Sequence, residues 1–128
     1  MMTQPLSAGS PSQLAGRRIE DAALALLLSH GHALVARNHA CRLGEVDLIT
    51  LHEGFLVFTE VRWRRRDGHG GAAASVTAAK QLRIVNAARH FLMLHPERQR
   101  QPMRFDVIAC HGPVTHLCTT WIPSAFVP

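Results

Sequence analysis

An α/β domain ordered as helix, three strands, helix, strand is the fold class that this sequence predicts. Three observations carry the prediction. Apolar residues recur at helical spacing from Leu14 to His30, three β-rich segments follow between Ala33 and Trp63, and a second helical stripe precedes a further strand. The length of 128 residues suits one domain, and a 47% apolar content supplies a core. A charged fraction of 18% argues against disorder as the dominant state.

Residues 1–12 are rich in Ser, Pro and Gly and read as a flexible N-terminal arm, leaving residues 13–128 as the single domain. In the first helix Ala15, Ile19, Ala22, Ala23, Leu26, Leu27 and His30 share a face, and Gly31 ends it. Ala33 to Ala40 is the first strand, Glu45 to Leu51 the second and Phe55 to Trp63 the third and most β-like. Arg64 to Ala74 reads as a mobile loop around Gly68, Gly70 and Gly71. Ser75 or Thr77 caps a second helix that runs to about His95, where Pro96 stops it; Val76, Ala79, Leu82, Val85, Ala88, Phe91 and Leu92 form its stripe. Met103 to Cys110 is the fourth strand and Val114 to Thr120 a shorter fifth. The early strands suit an antiparallel meander. The long connection through the second helix suits a right-handed crossover that returns the fourth strand parallel to the third, in a mixed sheet flanked by helices.

Fourteen Lys and Arg against nine Asp and Glu give a net charge of +5, and Lys80 is the one lysine. A basic domain of this size points to a polyanionic partner, with nucleic acid first. The longest apolar run, Ala22 to Leu28, has seven residues, far short of the roughly 18–20 of a membrane span, so no membrane partner is expected. No secretory pattern opens the chain, and three widely spaced cysteines form no disulfide framework, so a cytoplasmic setting is expected. The nine histidines match no structural zinc spacing, and Gly68 to Gly71 matches no phosphate loop.

The chemistry concentrates in Gly44-Glu45-Val46-Asp47 and Glu60-Val61-Arg62. If Glu53-Gly54 is a two-residue hairpin loop, opposed residue numbers sum to 107. Asp47 then lies opposite Glu60 and Glu45 opposite Arg62, with all four side chains on one face. Directly opposed carboxylates repel, so a cation belongs between them. Arg62 is one candidate and a divalent cation the other. Mg²⁺ takes oxygen ligands, needs only one or two carboxylates, and completes its shell with water and phosphate oxygens. The competing reading is a solvated hairpin face with a Glu45–Arg62 pair.

These residues resemble the YraN-like bacterial proteins, a family with a restriction-endonuclease-like (PD-(D/E)xK) fold whose core has this αβββαβ order. The resemblance runs from about Gly16 to Phe126. It includes Gly16-x-x-x-Glu20-x-x-Ala23, Asn38, Gly44 to Ile49, Val57 to Arg62, Lys80 on the second helix, and Arg104-Phe105-Asp106-Val107. It implies a nuclease site with Asp47 and Glu60 as ligands of Mg²⁺ or Mn²⁺. Glu20 resembles the extra acidic residue that archaeal junction resolvases of this fold add. The family usually has Glu-Val-Lys where this chain has Arg62, and a guanidinium does not give up a proton as an ammonium does. The resemblance therefore implies a DNA endonuclease weakened or inactivated by Arg62, with Glu20, Asp47, Glu60, Arg62 and Lys80 as catalytic candidates. The alternative is an inactive module of this fold that binds nucleic acid or a protein partner.

Arg62, Arg64, Arg65 and Arg66, with Trp63 among them, form a basic cluster suited to phosphates and base stacking. Asp106, two residues from Arg104 on one strand face, reads as half of a structural salt bridge. A homodimer would suit a protein that binds branched DNA.

Overall fold

The computed structural model describes residues 10–65 and 71–128. Most of the expected arm and the centre of the expected loop, residues 66–70, lie outside them. Helix α1 spans Pro11–Ser29 and starts inside the expected arm, because Ser10 and Gln13 close a reciprocal capping box and Pro11 occupies the first turn. The strands are β1 (Ala33–Cys41), β2 (Gly44–His52), β3 (Phe55–Arg64), β4 (Met103–His111) and β5 (Cys118–Phe126). Between β3 and β4 lie a single helical turn, α2 (Gly71–Ala74), within the expected loop, and the long helix α3 (Ala78–Leu94). Thr77 caps α3 by accepting the Lys80 N–H.

The sheet runs in the order β1-β2-β3-β4-β5, and every neighbouring pair is antiparallel except β3 and β4. The expected meander and crossover are both present. Glu53 and Gly54, with φ of 52° and 84°, form the two-residue hairpin turn. The β2–β3 ladder runs from His52↔Phe55 to Leu48↔Thr59, the expected register. The fifth strand departs from expectation. Val114–His116 form a 3₁₀ turn behind Pro113, and β5 begins four residues later than expected and continues through Pro123 to Phe126. Proline is tolerated there because β5 is an edge strand with no further partner for its missing N–H.

Helix α1 covers one face of the sheet, packing Ile19, Ala23, Leu24 and Leu27 on Leu48, Ile108 and Cys110. Helix α3 covers the other, packing Ile84, Val85, Ala88 and Phe91 on Ile49, Phe58 and Phe105. Leu82, expected in the α3 stripe, is 58% exposed. The buried arc turns about Ile84, Val85, Ala87 and Ala88 instead, because α3 crosses β2 so closely that Gly44 meets its backbone. A Cβ on Gly44 would collide with the Arg83 carbonyl. The glycine of the Gly-Glu-Val-Asp motif is thus a packing requirement.

Besides register shifts at Leu34/Ala36 and Phe105/Val107, side-chain alternation breaks beside Asp47. Ala36 and Ile49 face α3, and so do His39, whose ring meets Phe91, and Val46. Between these pairs lie two positions rather than one. Arg37 and Leu48, then Asn38 and Asp47, all turn toward α1. Asn38 absorbs the change with a φ of 52°, a left-handed conformation that asparagine tolerates better than most residues.

Candidate active site

The phase break corrects the expectation that Glu45, Asp47, Glu60 and Arg62 share a face. Asp47 lines a cleft of about 280 Å³ on the α1 side with Gly16, Ile19, Glu20, Val61 and Trp63. Glu60, two residues beyond Phe58 on β3, rises on the α3 side, where it meets Lys80. The carboxyl groups still adjoin, because Asp47 reaches past the end of the ladder and its Oδ2 accepts the Val61 N–H at 2.8 Å. The Asp47 charge is close enough to raise the Glu60 carboxyl.

Glu60 is only 2% exposed. Burial and then the neighbouring Asp47 charge push its carboxyl up to about 8, against a smaller pull from Lys80 and Arg62. Asp47 is also raised, first by burial, and partly held down by the Val61 N–H. One oxygen of Glu60, Oε1, is buried without a hydrogen-bond partner. A buried acceptor left so costs roughly 1–3 kcal/mol, and more when charged.

Both nearby cations converge on the other oxygen. Lys80 Nζ lies 3.5 Å from Glu60 Oε2 and 4.0 Å from Glu45 Oε1. Arg62 NH1 lies 3.5 Å from Glu60 Oε2, and its Nε donates to Ser75 Oγ at 2.9 Å. The expected Glu45–Arg62 pair is absent among the described residues. Glu45 faces Lys80, and Arg62 is held by Ser75, just ahead of α3. Lys80 thus reaches from the first turn of α3 the position that a lysine in place of Arg62 would approach along the strand.

Glu20 meets the site across the cleft. Its Oε1 accepts from Arg37 Nε at 3.0 Å, Arg37 NH2 at 2.7 Å and Asn38 Nδ2 at 3.0 Å. Its charge is near enough to raise Asp47 further. Asn38 therefore both turns the strand and orients the third carboxylate. Nothing in the pattern around Arg37 marked it as the second clamp, since its partner lies 17 residues away on another element.

The basic cluster is divided. Arg62 points inward, the Trp63 indole packs beneath α1 and donates to the Gly112 carbonyl at 2.9 Å, and Arg64 and Arg65 are exposed. Arg66 lies outside the described residues. Asp106 is fully buried and receives two bonds from Arg104, one from the Trp121 indole and one from the Ser124 N–H. That is the expected salt bridge, extended into a structural network on β4, where Asp106 pairs with Thr59.

Among the described residues no helix is long and apolar enough to cross a membrane. Residues 19–110 match the model of a family described as uncharacterised protein family UPF0102. A UPF0102 protein of Alcanivorax borkumensis is 47% identical over 112 residues, covering 87% of this chain and 90% of that protein. One of Aeromonas hydrophila is 45% identical over 124 residues, covering 96% and 91%. One of Legionella pneumophila is 40% identical over 115 residues, covering 90% and 96%. With such coverage at such identity, and with the motif residues gathered at the split between β2 and β3, the chain belongs to the YraN-like uncharacterised protein family UPF0102.

Proposed function

We propose that this protein is a metal-dependent nuclease that hydrolyses phosphodiester bonds in DNA. The observation that carries the reading is Glu60. It is a buried carboxyl with one oxygen unpartnered, beside a second carboxyl, with the chain's one lysine on its other oxygen. A scaffold gains nothing from that arrangement, since a buried carboxyl raised to about 8 with one oxygen unpaired costs stability whichever form it takes.

The donor set fits a hard divalent cation. Asp47 and the free Glu60 Oε1 supply carboxylate oxygens, and two such groups suffice for Mg²⁺ or Mn²⁺ when water and substrate phosphate complete the shell. Among the described residues no three-residue cluster of His, Cys, Asp or Glu is preassembled, which leaves Glu20 an outer contributor. When bound, such an ion lowers the pKa of water and polarises a phosphoryl oxygen.

The chain's own groups do the rest. Lys80 balances Glu60 and presents an ammonium that is able to orient water and take up negative charge developing on phosphate. Arg62, tied to Ser75, holds Glu60 from the other side and has no proton to give up. Glu20, fixed by Arg37 and Asn38, keeps a carboxylate facing the cleft.

The second reading, a binding module without cleavage, rests on Arg62 at the strand position. The two part in one experiment, a Mg²⁺ and Mn²⁺ titration on linear, flapped and four-way DNA. Metal-dependent cleavage that disappears in Asp47→Ala supports the nuclease. Binding with no cleavage of any substrate supports the module.

A further inference from the structure

Beside the carboxylate cleft lies a second one of about 550 Å³, lined by Arg17, Glu20, Asp21, Arg37 and Asn38. The two share Glu20 and adjoin at Gly16 and Arg17, consecutive residues of α1. A Cβ on Gly16 would meet nothing within 4 Å, so the junction between them is open. Both lie along the N-terminal half of α1 and the smaller reaches Asp47, so that read together they form one groove.

We propose that this groove takes a single nucleic-acid strand and that Arg17 seats one of its phosphates. The proposal rests on the nuclease reading for the carboxylate end and adds the substrate's form. The reactive centre is recessed: the Glu60 side chain is 3% exposed, and its Asp47 neighbour is reached through the smaller cleft. A duplex presents its phosphates on a broad, stiff cylinder, whereas a single strand follows a narrow groove. Ile19, Val61 and Trp63 give the smaller cleft apolar and aromatic walls, which suit bases only when these are unpaired. Beyond the carboxylates the strand needs a cation. Arg37 is committed to Glu20 and Asp21, whereas Arg17 makes no ion pair among the described residues.

The test measures binding of a labelled single-stranded DNA 20-mer and a blunt duplex of the same sequence to the full chain, by anisotropy in Ca²⁺ across a salt series. Arg17→Ala is compared with Arg98→Ala, on the connection after α3. The single strand should bind at least tenfold more tightly than the duplex. Arg17→Ala should weaken it several-fold and lower the salt slope by about 0.7, the loss of one phosphate contact on a single strand. Arg98→Ala should change neither. Equal or tighter duplex binding, unchanged affinity and slope in Arg17→Ala, or no binding of either probe overturns the proposal. Failure of the nuclease reading looks different. Single-strand binding that depends on Arg17, with no cleavage in Mg²⁺ or Mn²⁺, leaves the groove intact and removes the chemistry.

Discussion

Lys80 Nζ lies 3.5 Å from Glu60 Oε2, across the boundary between α3 and β3, and this contact places the chain's one lysine on a carboxyl that solvent barely reaches. Arg62 touches the same oxygen at 3.5 Å from its own strand. The two cations are not equivalent. Arg62 is tied to Ser75, while the other neighbour of Lys80 is the exposed Glu45 at 4.0 Å.

On the nuclease reading, replacing Lys80 with Met should lower cleavage by roughly 10²–10³-fold and leave DNA affinity within a few-fold, as expected of an interaction made only in the chemical step. Arg62→Lys should recover little, because a shorter ammonium loses the Ser75 contact and duplicates a charge already present. Single-turnover rates and separate affinity measurements check both. A Lys80→Met variant that cleaves at the wild-type rate removes Lys80 from the chemistry.

Metal binding should be visible without any substrate. A ligand that binds only the folded state stabilises it by about 2.7 kcal/mol at a hundred times its Kd. Adding Mg²⁺ or Mn²⁺ should thus raise Tm, and Asp47→Asn should abolish the rise. Equal responses from wild type and variant would mean that the paired carboxylates hold no metal.

The two motif glycines should behave oppositely. Gly44→Ala drives a Cβ into the Arg83 carbonyl and should destabilise the fold by about 1–3 kcal/mol or more. Gly16→Ala meets open space in an exposed helix and should stabilise it by up to about 1 kcal/mol. Urea denaturation of both variants checks the contrast.

Acid should weaken the fold through His32. Its ring is buried, stacked on His52 at 4.1 Å, bonded to Thr50 Oγ1 at 2.7 Å and edge-on to Trp121, with Arg104 and Asp106 close by. Burial, then the His52 and Arg104 charges, lower it from 6.5 to about 4. The unfolded chain thus binds the proton first. Stability is full above pH 6.5 and falls as pH drops toward 4, by about 1–3 kcal/mol from this group. His32→Gln should flatten that acid limb in denaturation curves. An unchanged limb would assign the acid sensitivity elsewhere.

Most of the architecture was legible in local pattern. Helical spacing of apolar residues, the Glu53-Gly54 turn and the β-rich run of Phe55 to Trp63 specify α1, the hairpin and its register. These signals need no partner from afar, because backbone period and turn chemistry act between neighbours. One exception was β5, expected over Val114 to Thr120 but running from Cys118 through Pro123 to Phe126 as an edge strand.

By itself, then, the sequence determined the element order and the register and singled out Asp47 and Glu60, while Glu20 and Lys80 entered through the family resemblance. Tertiary structure decided how those residues meet. Strict alternation put Asp47 and Glu60 on one face, but β1 and β2 break phase together beside Asn38, and Asp47 lies in the cleft beneath α1. Pairing by register put Glu45 against Arg62, but α3 lies so close over Gly44 that Lys80 reaches Glu45 and Glu60. A conformational break costs little at a residue that tolerates positive φ, so local pattern does not reveal it. A charge on a helix finds its partner only when packing sets the distance.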